Sequence, residues 1–198
     1  WREDIEVGES DLAEEVIREY GYDHIVPTFL KAAQVTTGGL TAEQKARAKA
    51  KRTMCAQGFY EAETLAFYAD ADLDMLHIAA DAPERKVIRI LNPISSHLTI
   101  MRPLLAPSLL NVVVDNLRKG NGEGRLFEMS NIYIPKQLPV TELPEERLHL
   151  GFAAWGSDED FFTVKGAVAA LGDAFGVELT VERAADVAWL HPGIAAYI

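Results

Sequence analysis

Residues 92–135 read NPISSHLTIMRPLLAPSLLNVVVDNLRKGNGEGRLFEMSNIYIP, and this run decides the fold. It opens as a Pro-containing loop that ends at Met101-Arg102. Pro107 then stands where a first helical residue would, because its fixed φ suits a helix start and its missing N–H costs nothing there. Leu109, Leu110, Val113, Val114 and Leu117 follow at helical spacing and give that helix an apolar face. Gly120, Gly122 and Gly124 end it in a turn that tolerates positive φ. Leu126, Glu128, Ser130 and Ile132 then alternate with Phe127, Met129, Asn131 and Tyr133, a strand with both faces partly apolar. Core formation accounts for most of these positions. It does not account for Asn92, Arg102, Asn116, Arg125 or Glu128.

Downstream, Leu148, Leu150, Phe152 and Ala154 alternate as a second strand. A helix is predicted from about Phe161 to Phe175, capped by Ser157 or Asp158, with Val164, Val168, Leu171 and Phe175 on one face. Gly176 stops it; Val177 to Val181 reads as a strand, His191-Pro192-Gly193 as a turn, and Ile194 to Ile198 as a last strand. Upstream, Val87 to Leu91 is a short strand. Asp70, Asp72 and Asp74 match the first half of a calcium loop, but its Gly and distal Glu are missing, so residues 69–83 are expected as a surface helix or loop.

Thr41 with Gln44 is a capping box that opens a helix running to about Gln57. Cys55 is expected inside it as a small buried hydrophobe. Lys45, Arg47, Lys49, Lys51 and Arg52 put five cations into eight residues of that helix. Either a solvated face or a contact with a nucleic-acid backbone fits them. Gly58 to Thr64 leads into a strand through about Tyr68.

Residues 23–40 hold Pro27, Thr36-Thr37 and Gly38-Gly39 without periodicity and read as a linker, which divides the chain into domains 1–38 and 39–198. In the first, Asp4 to Val7 reads as the end of a strand and Asp11 as an N-cap with Glu14 completing a capping box. Leu12, Val16 and Tyr20 recur along the helix that follows. The carboxylates Asp4, Asp11, Glu14 and Glu15 either answer the helix dipole or hold a hard cation such as Mg²⁺ through oxygen ligands.

Composition removes several classes of function. With 48% hydrophobic and 25% charged residues, the 198-residue chain has the balance of a soluble globular protein. No apolar run approaches the roughly 18 residues of a membrane span. A lone cysteine allows no disulfide framework, so a cytoplasmic setting is expected. Trp1-Arg2-Glu3-Asp4 has no leader pattern, and a first residue other than Met is read as the cut end of something longer. The net charge of −11 gives no global attraction to phosphate backbones. His24, His77, His97, His149 and His191 lack metal-ligand spacing, GNGEG at 120–124 lacks the Lys-Ser/Thr of a phosphate loop, and no nucleophile elbow occurs. No catalytic residue is predicted.

NPIS, MRPLLAPSLLNVVVDNLR and GRLFEMSNIY, in that order, resemble the bacterial phenylalanyl-tRNA synthetase beta chain in its synthetase-like domain. The turn after the cationic helix, the FFTVKG block at 161–166 and the HPG turn at 191–193 match the same family. The first 38 residues resemble the end of its small winged-helix-like B5 domain, with one residue more than usual between Asp4 and Asp11, at Gly8.

The resemblance implies an α+β fold of the class II synthetase type, an antiparallel sheet flanked by helices, preceded by a winged-helix remnant and cut at its C-terminus. It implies that Asp4, Asp11, Glu14 and Glu15 are ligands of a Mg²⁺ shared with the alpha chain. The implied assembly is an (alpha-beta)2 heterotetramer that uses ATP to join phenylalanine to tRNA(Phe) through an aminoacyl-adenylate. The cationic helix then becomes a possible tRNA surface and its apolar side an interface. Class II chemistry needs arginines on the ATP phosphates. Where the strand arginine is sought, GRLFEMSNIY offers Glu128, in keeping with a catalytically silent domain in which Arg102 and Asn116 fix the loop and helix by hydrogen bonds. The alternative is a stand-alone interaction module descended from a synthetase.

Overall fold

The computed structural model describes residues 3–5, 8–29, 38–187 and 189–198. The chain divides into two compact units, Trp1–Gly39 and Leu40–Ile198.

In the first unit, Asp4 lies in a turn, and residues 6–7 of the expected strand end lie outside the described residues. Helix α1 (Glu9–Tyr20) follows an extended Gly8 that carries no side-chain cap. Asp11 is therefore inside the first turn rather than the N-cap expected of it. Glu9 and Ser10 already take helical geometry, and Glu9 and Asp11 set negative charge beside the free N–H groups. A short 3₁₀ turn spans Tyr22–His24. No other regular element is present among the described residues of this unit, so the winged-helix remnant is not seen there.

The second unit opens with α2 (Ala42–Ala56), where the Thr41–Gln44 capping box forms as expected. Ala50 and Met54, one turn apart, face the core. Cys55 is exposed, against expectation, because the next residue along a helix is rotated about 100° from Met54. The strand expected through about Tyr68 is β2 (Phe67–Tyr68), and the lead-in before it holds a short strand of its own, β1 (Tyr60–Glu61), in a different sheet. The acidic run forms α3 (Asp70–Met75). β3 (Ile100–Met101) pairs antiparallel with β2. Residues 87–91 reduce to one bridge, Arg89 to Ile100.

Helix α4 (Ala106–Arg118) has Pro107 in its first turn, and β4 (Gly124–Ile134) runs antiparallel to β5 (Glu145–Trp155) from Gly124↔Trp155 to Ile134↔Glu145. Strand β1 joins β4 in parallel, Tyr60 against Leu126, so the sheet β1-β4-β5 is mixed and the expectation of a purely antiparallel sheet is corrected there. A long crossover separates β1 from β4, so no tight turn dictates their sense. Helix α5 (Phe161–Phe175) is capped by Asp160, whose Oδ1 accepts from the Phe162 and Thr163 N–H groups at 2.8 and 3.0 Å. Gly176, at φ 66°, closes it in the left-handed region. Val177 to Val181 forms no strand; β6 (Glu182–Arg183) pairs instead with β7 (Ala196–Tyr197).

Two apolar clusters fill this unit. Met54, Phe59, Phe127 and Ala167 join α2, β4 and α5, with Leu150, Phe152, Ala154 and Leu171 packed against them. Tyr68, Leu73, Val87 and Ile100 form the second. Helix α4 lies so close to β5 that a Cβ on Gly151 would meet Leu109 Cδ1 at 2.8 Å. A side chain at 151 would push Leu109 out of its place.

Candidate functional site

Two of the residues that core packing left unexplained, Arg102 and Glu128, come together. Arg102 follows β3 and Glu128 sits on β4; they are 3% and 1% exposed. An Arg102 guanidinium N–H donates to Glu128 Oε1 at 2.8 Å and to Thr64 Oγ1 at 3.0 Å. Arg102 Nε–H donates to the Asn131 carbonyl at 2.9 Å. The Thr64 hydroxyl in turn donates to Glu128 Oε2 at 2.7 Å. Charge, hydroxyl and carbonyl thus close a ring in which each buried polar group is answered, as burial demands. The chain breaks between β1 and β2 to bring Thr64 into this ring. No pattern around Thr64 announces the role, since its partner Glu128 lies 64 residues away.

Glu128, which stands where the strand arginine is sought, has an arginine of its own as partner. A carboxylate enclosed with its own arginine neither meets nor repels a triphosphate. Arg102 is structural, as expected. So is Asn116, whose Nδ2 donates to the Val112 carbonyl at 2.9 Å and whose Oδ1 accepts from Asn121 Nδ2 at 2.9 Å, tying α4 to the glycine turn. Asn92 lies exposed in its loop.

The β4–β5 hairpin carries two more arginines. Arg125 donates to Glu159 Oε1 at 2.7 Å and to the Gln57 carbonyl at 3.0 Å, and its guanidinium lies 6.0 Å from the centre of the Phe59 ring. Arg147 grips Glu145 through two hydrogen bonds, 2.7 and 2.9 Å, in an exposed pair. That contact holds the Glu145 carboxyl below its ordinary value. Next to it in the strand, His149 lines a cavity of about 610 Å³ with Tyr133, Arg147 and Trp189. Burial, then the nearby Arg147 charge, lowers its affinity for a proton.

Of the five cations on α2, three are engaged within the chain. Arg47 pairs with Glu43 and Lys51 with Glu61, while the Lys49 ammonium lies 5.1 Å from the centre of the Phe175 ring. Lys45 and Arg52 are exposed. The three aspartates of α3 are engaged as well. Asp70 pairs with Arg89 and Asp74 with Arg85, and Asp72 accepts from Asn111 and from the Ala69 N–H.

In the first unit, α1 places Asp11, Glu14 and Glu15 within little more than one turn, and Glu15 accepts from Arg18 at 2.7 Å. Hard carboxylate oxygens suit Mg²⁺. No group of three or more His, Cys, Asp or Glu among the described residues is arranged to hold an ion, so these residues do not form a closed site of their own. Nor is any helix there long and apolar enough to cross a membrane.

Known proteins give this arrangement a setting. A family model described as the phenylalanyl tRNA synthetase beta chain CLM domain matches residues 26–198. The phenylalanine–tRNA ligase beta subunit of Geobacter metallireducens is 36% identical, over 100% of this chain and 26% of its own length. That of Anaeromyxobacter dehalogenans is 37% identical, over 99% of this chain and 25% of its own. A pyrrolysyl tRNA synthetase of Desulfitobacterium hafniense superposes with a TM-score of 0.57 at 17% identity, covering 90% of this chain and 58% of the other. That likeness is one of fold. The chain spans about a quarter of the length of the curated relatives it matches.

Proposed function

Because this chain belongs to the phenylalanyl-tRNA synthetase beta chain family, we propose that it is a structural, non-catalytic region of a phenylalanine–tRNA ligase. The whole enzyme, a cytoplasmic (alpha-beta)2 heterotetramer in this reading, joins phenylalanine to tRNA(Phe) with ATP through an aminoacyl-adenylate. The Leu40–Ile198 unit supplies a synthetase-like scaffold at the interface with the alpha chain. The first unit, as the end of a B5 domain, lends Asp4, Asp11, Glu14 and Glu15 to a Mg²⁺ site that the alpha chain completes. On α2, Lys45 and Arg52 are the cations left for a tRNA backbone.

One observation supports the silent reading: the state of the arginines. Adenylate formation draws on a pair of them to hold ATP as charge develops on its phosphates. Arg102 is enclosed with Glu128, and Arg125 is bound on two sides. Among the arginines at the end of β3 and on β4 and β5, Arg147 is the one left in an exposed pair, where it can turn to an anion. One arginine does not make the clamp.

The test is ATP–pyrophosphate exchange by the chain alone and with the alpha chain of a close relative. No exchange alone is expected; exchange by the chain alone would overturn the silent reading. Light scattering after size exclusion separates the interface reading from a free-standing module. A mixed complex with the alpha chain is expected of the former.

A further inference from the structure

We propose that the loop 91–98 is the apolar anchor by which this chain seats on the alpha chain; this rests on the reading above and names the surface that it uses. Leu91 is 100% exposed and Ile94 92%, so both side chains stand in water. The loop that carries them is held from both ends and from within. At its base the Ile90 N–H donates to the Thr99 carbonyl at 3.0 Å and the Met101 N–H to Ile88 at 2.9 Å. At its tip the His97 N–H donates to Ser95 Oγ at 3.2 Å and the Leu98 N–H to the Ser95 carbonyl at 3.0 Å. Arg89, at the base, is fixed to Asp70 of α3 by bonds of 2.8 and 3.0 Å. The backbone thus presents two apolar side chains three residues apart, with little ordering left to lose on binding.

Charge and chemistry select the occupant. Residues 90–101 contain no Asp, Glu, Lys or Arg and no Phe, Tyr or Trp. A phosphate backbone and an anionic membrane would find no Lys or Arg there. What fits is an uncharged apolar recess on a different protein, ringed by polar contacts such as Arg89 and Asp70 offer at the loop's base. The relatives are beta subunits by name, so a differing chain is already part of their assembly.

The experiment uses the full-length beta chain with its alpha chain, followed by light scattering through a dilution series. Leu91→Ser/Ile94→Ser is expected to raise the dissociation constant on the order of 30-fold, as loss of a central apolar anchor does. Leu143→Ser removes a side chain that is 84% exposed but lies between acidic residues, and it is expected to leave the constant unchanged. All variants are expected to melt at the wild-type temperature, because neither anchor side chain is buried in its own chain. Wild-type association in the double variant overturns this proposal and leaves the subunit reading intact. Failure of the wild-type chains to associate overturns both.

Discussion

Helices α1 and α4 carry the same apolar rhythm and come to different ends. On α1, Leu12, Val16 and Tyr20 recur every four residues, yet they stay 58%, 67% and 66% exposed. On α4, Leu109 and Val113 repeat at the same interval and are 3% and 9% exposed. Spacing creates a face; a neighbour of the right shape buries it. Helix α4 has that neighbour in β5, where Gly151 leaves room for Leu109. A 12-residue helix with its apolar side in water draws little stability from its own chain.

The largest effect expected of a single change lies beside α4, in the buried ion pair. Glu128→Ala strands Arg102 without its partner and is expected to cost about 3–5 kcal/mol in urea unfolding. The matching change on α1, Glu15→Ala, breaks a pair whose arginine is 51% exposed and is expected to cost less than ~1 kcal/mol. Equal costs would erase the contrast between the two helices. Next comes Leu109→Ala at about 3 kcal/mol, against a few tenths for Leu12→Ala, with thermal melting as the measurement. Asp160→Ala removes the cap of α5 and is expected to cost about 1 kcal/mol, whereas α1 has no side-chain cap to lose.

The smallest effect concerns pH. His149 binds its proton less readily folded than unfolded, because burial and then Arg147 disfavour the imidazolium. Below about 6.5 the unfolded chain therefore takes up more protons at this residue, and stability falls with falling pH, an effect that His149→Gln is expected to remove. Urea midpoints for wild type and variant at pH 5 and pH 7 measure it.

Much of this was readable from local pattern. Helices α2, α4 and α5 and the β4–β5 hairpin follow periodicity, capping boxes and glycine stops, which act within a few residues of one another. The errors came where a partner decides the outcome. Cys55 looked buried until Met54 took the inward place. Ser157 and Asp158 looked like caps, but the chain first turns back through the Glu159 N–H to the Gly156 carbonyl, which hands the cap to Asp160. The lead-in over 58–64 gave no sign of β1, nor of the place Thr64 takes at Glu128. Glu128 itself gave the clearest lesson. Sequence marked it as out of place in an apolar strand, which was correct, but could not say whether ligand or arginine answered it.

That enclosed ring also bears on how long the native state lasts. Thr64, Arg102 and Glu128 come from three segments, separated by 38, 26 and 64 residues. Each closure must meet its chain-entropy cost before any hydrogen bond returns it. The ring is therefore expected to complete after the hairpin and helices have formed, so that Glu128→Ala speeds unfolding and leaves the folding rate nearly unchanged in stopped-flow refolding. Interactions absent from the transition state govern the unfolding rate and leave the folding rate almost untouched. On that expectation Glu128 and Arg102 are a latch on the folded chain, bearing on its lifetime more than on the ease with which it forms.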